Sequence, residues 1–302
     1  MKIKKVIPSG YCKGVVGAIN IAKKTRSQYP NEKITVLGMI VHNKYITEAL
    51  RQLGIDTLDD TNKTKEELIE EVNEGVVIFT AHGIADHIKA RAKEKGLILV
   101  DASCSDVVKT QNIVKEKLAE GYEIIYIGKK NHPEAVAVLA ISDHIHLVSK
   151  ASEIESLDNY DKVFVTNQTT MSIFETRYIF DELLKKYPQA IILEEICKAT
   201  SSRQEAIIKL QDCDLLYIVG DPKSNNSNKL REIGLQNGVK KAFLIESAND
   251  INEEDLKDVE NVYVTAGAST PTYLTNQVID VLNDYNESHV LKKPRIDISH
   301  II

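Results

Sequence analysis

Short runs of aliphatic and β-branched residues recur along the chain, each ending in a turn bearing Gly, Ser or Asn. An amphipathic stretch follows nearly every run. The pattern predicts strands over 34–38, 76–81, 97–102, 123–128 and 162–167, and further strands over 190–195, 214–220, 241–247 and 262–267. Apolar positions recurring every three or four residues predict helices over 16–28, 43–53, 85–95, 106–120, 172–186, 201–211, 227–237 and 271–284. Near-continuous apolar strands alternating with helices indicate parallel sheets covered on both faces. The expected fold class is α/β, built as three small parallel-sheet αβα units. Their expected bounds are 14–103, 104–196 and 197–302, the last completed by the N-terminal segment 1–13. The closing stretch KKPRIDISHII reads as a tail or a docking segment.

This order places most chemically capable residues just after the carboxyl end of a strand. His42 follows ITVLG, His82 follows VVIFTA, Cys104 follows LILVDA, and His132 and Glu134 follow EIIYIG. Thr169, Ser224, Asn226 and Ser269 hold the same position after KVFVTN, DLLYIVG and VYVTAG. In open parallel sheets that edge is where loops and helix N-termini converge on a ligand. The reactive groups of the three units are therefore expected to face one central cavity.

Composition narrows the classes. The 302 residues allow two or three domains or one large α/β body, and 43% hydrophobic with 27% charged residues is ordinary for a soluble protein. A net charge of −6 speaks against a general nucleic-acid binder. Four cysteines without a tight framework fit a reducing compartment. The start MKIKK reaches Pro8 and Gly10 without a signal-peptide apolar stretch, and no run approaches the ~20 residues of a membrane span. A cytoplasmic protein without a membrane or nucleic-acid partner is expected.

Cys12, Cys104 and Cys197 lie far apart, in SGYCKG, VDASCSDV and EEICKATS. That spacing excludes a zinc ribbon or a CxxC pair, which need two ligands on one short loop. Three thiolates brought together could hold an iron–sulfur cluster with one iron left open for substrate, or a zinc ion with one His. They could also be three unrelated buried thiols, since free Cys packs as a small hydrophobe. Polar and turn-forming neighbours (Gly10, Gly14, Ser103, Ser105, Thr200) set them apart from Cys213, which starts a strand and suits a purely packing role. A single loop His is usually a hydrogen-bonded surface residue. His42, His82 and His132 share one strand-end position and could bind a phosphate or pass protons; His87, His144, His146, His289 and His300 do not share it. Glu134, beside Pro133 at a helix start, is either a first-turn carboxylate favoured by the helix dipole or a proton donor in an enclosed pocket. The run GDPKSNNSNKL (220–230) exceeds what helix capping needs and resembles a neutral phosphate cradle, with Ser224, Asn225 and Asn226 at its centre. TAGAST (265–270) and NQTTMS (167–172) offer two more. Neither GxxxxGK[ST] nor GxGxxG occurs, so nucleotide binding is unsupported.

Taken in order, GYCKGV, VHN, TAHG, DASC, HPE, QTT, ICKATSSRQEA, SNNSN and TAGAS closely resemble the 4-hydroxy-3-methylbut-2-enyl diphosphate reductase family (IspH or LytB) along nearly the whole chain. The resemblance implies a trefoil of α/β units around a 4Fe–4S cluster held by Cys12, Cys104 and Cys197. The implied activity is an oxidoreductase reaction of non-mevalonate isoprenoid biosynthesis: two electrons and two protons remove the substrate's allylic hydroxyl, giving isopentenyl and dimethylallyl diphosphate. By position, His42, His82, His132, Ser224, Asn225, Asn226 and Ser269 would bind the diphosphate. Glu134 would deliver a proton, and Thr169 would join the hydrogen-bond network at the hydroxyl. An external electron donor such as a ferredoxin or flavodoxin is implied as partner.

The chain departs from the family pattern beside the cysteines. Lys13 and Lys198 stand where a small or apolar residue and an aromatic are usual, Ser103 replaces Thr, and Ser105 with Asp106 replaces Pro-Leu. Charges and hydrogen bonds near the sulfurs tune a cluster's potential. The departures leave open a paralogue that takes the same substrate class to another product, such as a small C5 hydrocarbon. A non-catalytic iron–sulfur sensor is the other alternative.

Overall fold

The computed structural model describes residues 1–302. In chain order, β1 (Lys2–Lys5) and α1 (Lys13–Gln28) come first. They are followed by β2 (Ile34–Leu37), α2 (Lys44–Gln52), β3 (Ile55–Leu58), α3 (Lys65–Glu71), β4 (Val76–Phe79), α4 (Asp86–Glu94) and β5 (Ile98–Asp101). A second series runs α5 (Ser105–Ala119), β6 (Glu123–Ile127), α6 (Pro133–Leu139), β7 (Ile145–Val148), β8 (Val163–Asn167), α7 (Ile173–Lys186) and β9 (Ile191–Ile192). The last comprises α8 (Lys198–Ile208), β10 (Leu215–Val219), α9 (Asn225–Gln236), β11 (Lys241–Ile245), β12 (Asn261–Ala266) and α10 (Thr272–Ser288).

The strands form three four-stranded sheets, ordered β3-β2-β4-β5, β7-β6-β8-β9 and β1-β12-β10-β11. Every pairing is parallel, as the continuous apolar runs require; Val36 faces Ile78, Ile125 faces Val165 and Tyr217 faces Val264. The chain divides into two compact units. One consists of Met1–Val16, His42–Ala49 and Lys198–Ile302, the other of Gly17–Val41 and Leu50–Cys197. The second unit holds two of the sheets. Their central strands are buried throughout, with Leu37, Val77 and Phe79 in one core and Ile125, Val165 and Leu183 in another. In the first unit Leu216, Ile218, Leu230 and Ile233 seal the third sheet against its helices. Each such side chain contributes roughly 1.5–3 kcal/mol by leaving water.

One expected strand is shortened and two unexpected elements appear, each for an identifiable reason. The strand expected over 190–195 pairs with β8 only at Ile191 and Ile192, and Leu193 adds one backbone bond to Val165. Beyond it the Asn167 side chain takes over, accepting the Glu195 N–H at 3.0 Å, so a side chain ends the ladder. β1 escapes an apolar search because KIKK is an edge strand with three exposed lysines. α3 is carried less by periodicity than by its capping box, in which Thr64 and Glu67 cap each other's backbone N–H.

Candidate active site

The second unit builds a sealed acid. Pro133 opens α6 and His132 caps it, its Nδ1 accepting the Glu134 N–H at 3.2 Å. That bond leaves the proton of a neutral imidazole on Nε2. Glu134 in the first helical turn is 2% exposed. Its Oε1 accepts the Thr169 N–H at 2.8 Å and the Tyr126 hydroxyl at 3.4 Å, and its Oε2 accepts the Thr169 hydroxyl at 2.9 Å. Burial outweighs these donors and raises the carboxyl pKa to about 7. At neutral pH the group can therefore hold or release a proton, which an exposed first-turn carboxylate cannot do. Desolvation wins over the dipole at this position.

The same unit gathers other expected residues around that acid. The His82 ring meets the His132 ring edge to face, with centroids 5.6 Å apart, and its Nδ1 lies 3.3 Å from the Thr80 hydroxyl. Cys104 stands at the N-cap position of α5 without a side-chain capping bond, and its N–H donates to the carbonyl of Ala81, just past β4, at 3.0 Å. The Cys197 N–H bonds the Thr169 carbonyl at 3.0 Å, so one threonine secures both Glu134 and a cysteine. Lys109 clamps the buried Glu195 carboxylate at 2.8 and 3.0 Å, linking the helix after Cys104 to the segment before Cys197. Apart from Thr169, the polar groups of NQTTMS serve the fold. Gln168 accepts from the Lys129 N–H and donates to Thr170, and Ser172 caps α7.

The first unit builds a cradle of opposite character. Ser224 caps α9, and its hydroxyl accepts from the Ser227 N–H and the Ser227 hydroxyl. Gly220 and Gly267, at the ends of β10 and β12, give way to Ser227: a Cβ on either would come within 2.3 Å of its hydroxyl. Asn226, in the first turn of α9, is 4% exposed, and neither polar atom of its amide has a hydrogen-bond partner. A buried amide left unsatisfied costs about 1–3 kcal/mol, and at a helix N-terminus it suits an anionic ligand with many acceptors. Asn225 and Ser269 are buried in the same unit, the Ser269 hydroxyl donating to the His42 carbonyl at 2.9 Å. Cys12 directly precedes α1, its sulfur 3.5 Å from the Val15 N–H.

Cys12, Cys104 and Cys197 are in no disulfide and partly exposed, and each immediately precedes a helix, where N–H groups and the dipole favour the negative sulfur that an iron–sulfur ligand needs. Cys213 contrasts with them: it is buried, and burial pushes its thiol up to about 11. Lys13, Ser105, Asp106 and Lys198 are all exposed. Helix stability does not explain Lys13 and Lys198, because a cation in a first turn opposes the dipole. Of the histidines without a strand-end position, His87 pairs with Glu66 at the surface, and His144 and His146 share Glu123. Sequence reasoning passed over Tyr126, and counted Ser227 only as one of the polar residues of the 220–230 run. The signal was present as a hydroxyl in the otherwise aliphatic EIIYIG and a serine between two glycine-ended strands.

A three-sheet α/β protein with a buried acid, helix-start cysteines outside any disulfide and an unsatisfied amide cradle defines a recognisable class. The sequence model of the LytB protein family matches residues 3–283, and the chain belongs to that family. A 4-hydroxy-3-methylbut-2-enyl diphosphate reductase of Bacillus cereus (strain B4264) is 47% identical over 290 residues, covering 95% of this chain and 91% of its own. That of Bacillus mycoides (strain KBAB4) is also 47% identical, with the same coverage. Among solved structures, the E-1-hydroxy-2-methyl-but-2-enyl-4-diphosphate reductase of Plasmodium falciparum matches with a TM-score of 0.88 and 30% identity, covering 98% of this chain and 93% of its own. A second solved structure, (E)-4-hydroxy-3-methyl-but-2-enyl diphosphate reductase, matches with a TM-score of 0.66 and 27% identity over 94% of this chain and all of its own.

Proposed function

We propose that this chain is an oxidoreductase that removes the allylic hydroxyl of 4-hydroxy-3-methylbut-2-enyl diphosphate. Two electrons and two protons enter, the C–O bond breaks, the oxygen leaves as water, and isopentenyl and dimethylallyl diphosphate form. The observation that carries the reading is the Glu134 carboxyl, sealed from water, held on both oxygens by Thr169, and poised near pH 7. An acid with these properties can protonate a departing hydroxyl at neutral pH. Relatives at 47% identity that carry this reductase name favour the reading over a hydrocarbon-forming paralogue or a sensor.

In this proposal Cys12, Cys104 and Cys197 hold a 4Fe–4S cluster. When bound, it supplies electrons and a Lewis-acidic iron. His42, His82 and His132 bind the diphosphate, together with Ser224, Asn225, Asn226 and Ser269. The unsatisfied amide of Asn226 and the first turn of α9 support that assignment. Neutral donors at a helix N-terminus suit this task, because they can satisfy phosphate oxygens by hydrogen bonds without a metal. Thr169 keeps the Glu134 proton directed toward the hydroxyl, and the dry setting strengthens each of these bonds. A ferredoxin or flavodoxin is proposed as electron donor and the cytoplasm as location. No helix is long and apolar enough to cross a membrane. We also propose 14–103, 104–196 and 197–302 with 1–13 as the three structural units, since one sheet falls within each.

Anaerobic incubation with the substrate and reduced viologen tests the reading. Formation of the two C5 diphosphates alone is the expected result. A volatile hydrocarbon would move the chain to the paralogue class, and a brown, cluster-loaded protein without turnover would make it a sensor.

A further inference from the structure

The tail left unassigned by sequence lies beyond the family match, which ends at residue 283, and it is tightly fastened. After α10 the chain runs without regular structure to a short helical turn, Ile298–His300, capped by Asp297 through the Ser299 N–H and hydroxyl. Ile301 is 2% exposed, as buried as a core side chain. Its carbonyl accepts the Tyr11 hydroxyl at 2.7 Å. Tyr273 of α10 receives the rest of the segment: its hydroxyl accepts the Asp297 N–H at 3.1 Å, and its ring meets His300 edge to face at 5.2 Å. Tyr11 directly precedes Cys12. The remaining anchors of that loop are Arg203, which donates to the Gly10 carbonyl, and the Ala268 carbonyl, which accepts the Cys12 N–H at 3.0 Å.

The Cys12 loop is therefore held from three elements, and one of them is the end of the chain. We propose that segment 295–302 is a latch that positions Cys12, with Tyr11 as its receiver. Tyr11 and Ile301 are positioning residues: the Tyr11 hydroxyl is engaged by the Ile301 carbonyl, Ile301 has an aliphatic side chain, and both restrict where the Cys12 sulfur stands. This extends the assignment of Cys12 as a cluster ligand and rests on it for its functional meaning, but the mechanical coupling is independent of any cluster.

Two measurements on the full-length protein separate the two ideas. In cluster-free protein, the alkylation rate of each cysteine by iodoacetamide is followed by mass spectrometry for the native chain, Tyr11→Phe and Ile301→Asp. Tyr11→Phe keeps the ring and removes only the hydroxyl, so the fold is preserved. Cys12 is expected to react at least about threefold faster in both variants while Cys104 and Cys197 keep their native rates. General loosening would accelerate all three, and an unchanged Cys12 rate would overturn the latch. In anaerobically reconstituted protein, iron release to a chelator is expected to quicken by a similar factor in both variants. If the native chain takes up no iron and sulfide, the ligand assignment fails while the alkylation result still decides the latch.

Discussion

The acid pocket and the amide cradle solve opposite problems with buried polar groups. In the pocket, both Glu134 oxygens have donors, and Thr169, which supplies most of them, is itself tied to Cys197. In the cradle, Asn226 is buried with both amide atoms unmet. The first arrangement is complete in the free protein and fixes where a proton sits. The second is complete only with something bound. A group that moves protons must be held by the protein, whereas a group that binds a charged ligand must keep its hydrogen bonds in reserve.

The contrast is broken most directly at Glu134. Glu134→Gln is expected to lower turnover with a chemical reductant by about 10²–10⁴-fold while iron and sulfide content stay native, as read by anaerobic kinetics and metal analysis. The same variant tests the burial argument. A carboxyl raised from 4.5 to about 7 stays protonated in the folded state over a range where the unfolded chain has released its proton. Stability therefore falls as pH rises from 4.5 to 7, by about 3 kcal/mol for this group. Denaturant titrations should show that fall in the native protein and a correspondingly flatter profile in Glu134→Gln.

Asn226→Ala examines the other side. It is expected to raise KM by about 10-fold or more with a smaller effect on kcat, and to leave the melting temperature unchanged or higher, because an unsatisfied amide is removed. Thr169→Ala should do the reverse to stability, lowering it by about 1–3 kcal/mol by leaving Oε2 of the buried carboxyl without its donor. If the Asn226 variant melted as early as the Thr169 variant, the distinction between a reserved and a completed site would fail.

The smallest effect is expected at Tyr126. Its hydroxyl donates to the ionised form of Glu134, so Tyr126→Phe removes a stabiliser of the charge and raises the carboxyl pKa further. The acid form then survives to higher pH, and the alkaline limb of the rate profile should move upward by less than about one pH unit. Asp106, whose charge also opposes ionisation, and the His132 cap stay in place in this variant. A shift to lower pH would contradict the assigned donor direction.

The legible part of the fold was its buried strands. ITVL, VVIF, VFVTN and LLYIV read clearly because parallel strands covered on both faces must be apolar throughout. β1, β3 and β7 were not legible, since polar residues interrupt KIKK, IDTL and IHLV, whereas the equally short edge strand β5 carries the continuous run ILV. In the site, the strand-end rule located His82, His132, Glu134 and Thr169, and the structure brings these four together in one unit. Tyr126 was hidden because its position on β6 looks like core, and only its hydroxyl's approach to Glu134 gives it a role.

The sequence alone determined the α/β class, the parallel sheets, the family and the set of residue types at strand ends, because these follow from periodicity and local motif chemistry. The tertiary structure alone decided which of those polar groups are satisfied. Gln168 and Ser172 of NQTTMS are consumed by the fold while the Asn226 amide is left in reserve, and Glu134 is lifted to neutral pH rather than held low by its helix. The tail's hold on Tyr11 is decided there too. Hydrogen-bond partners and desolvation depend on residues distant in the chain, and no local pattern records them.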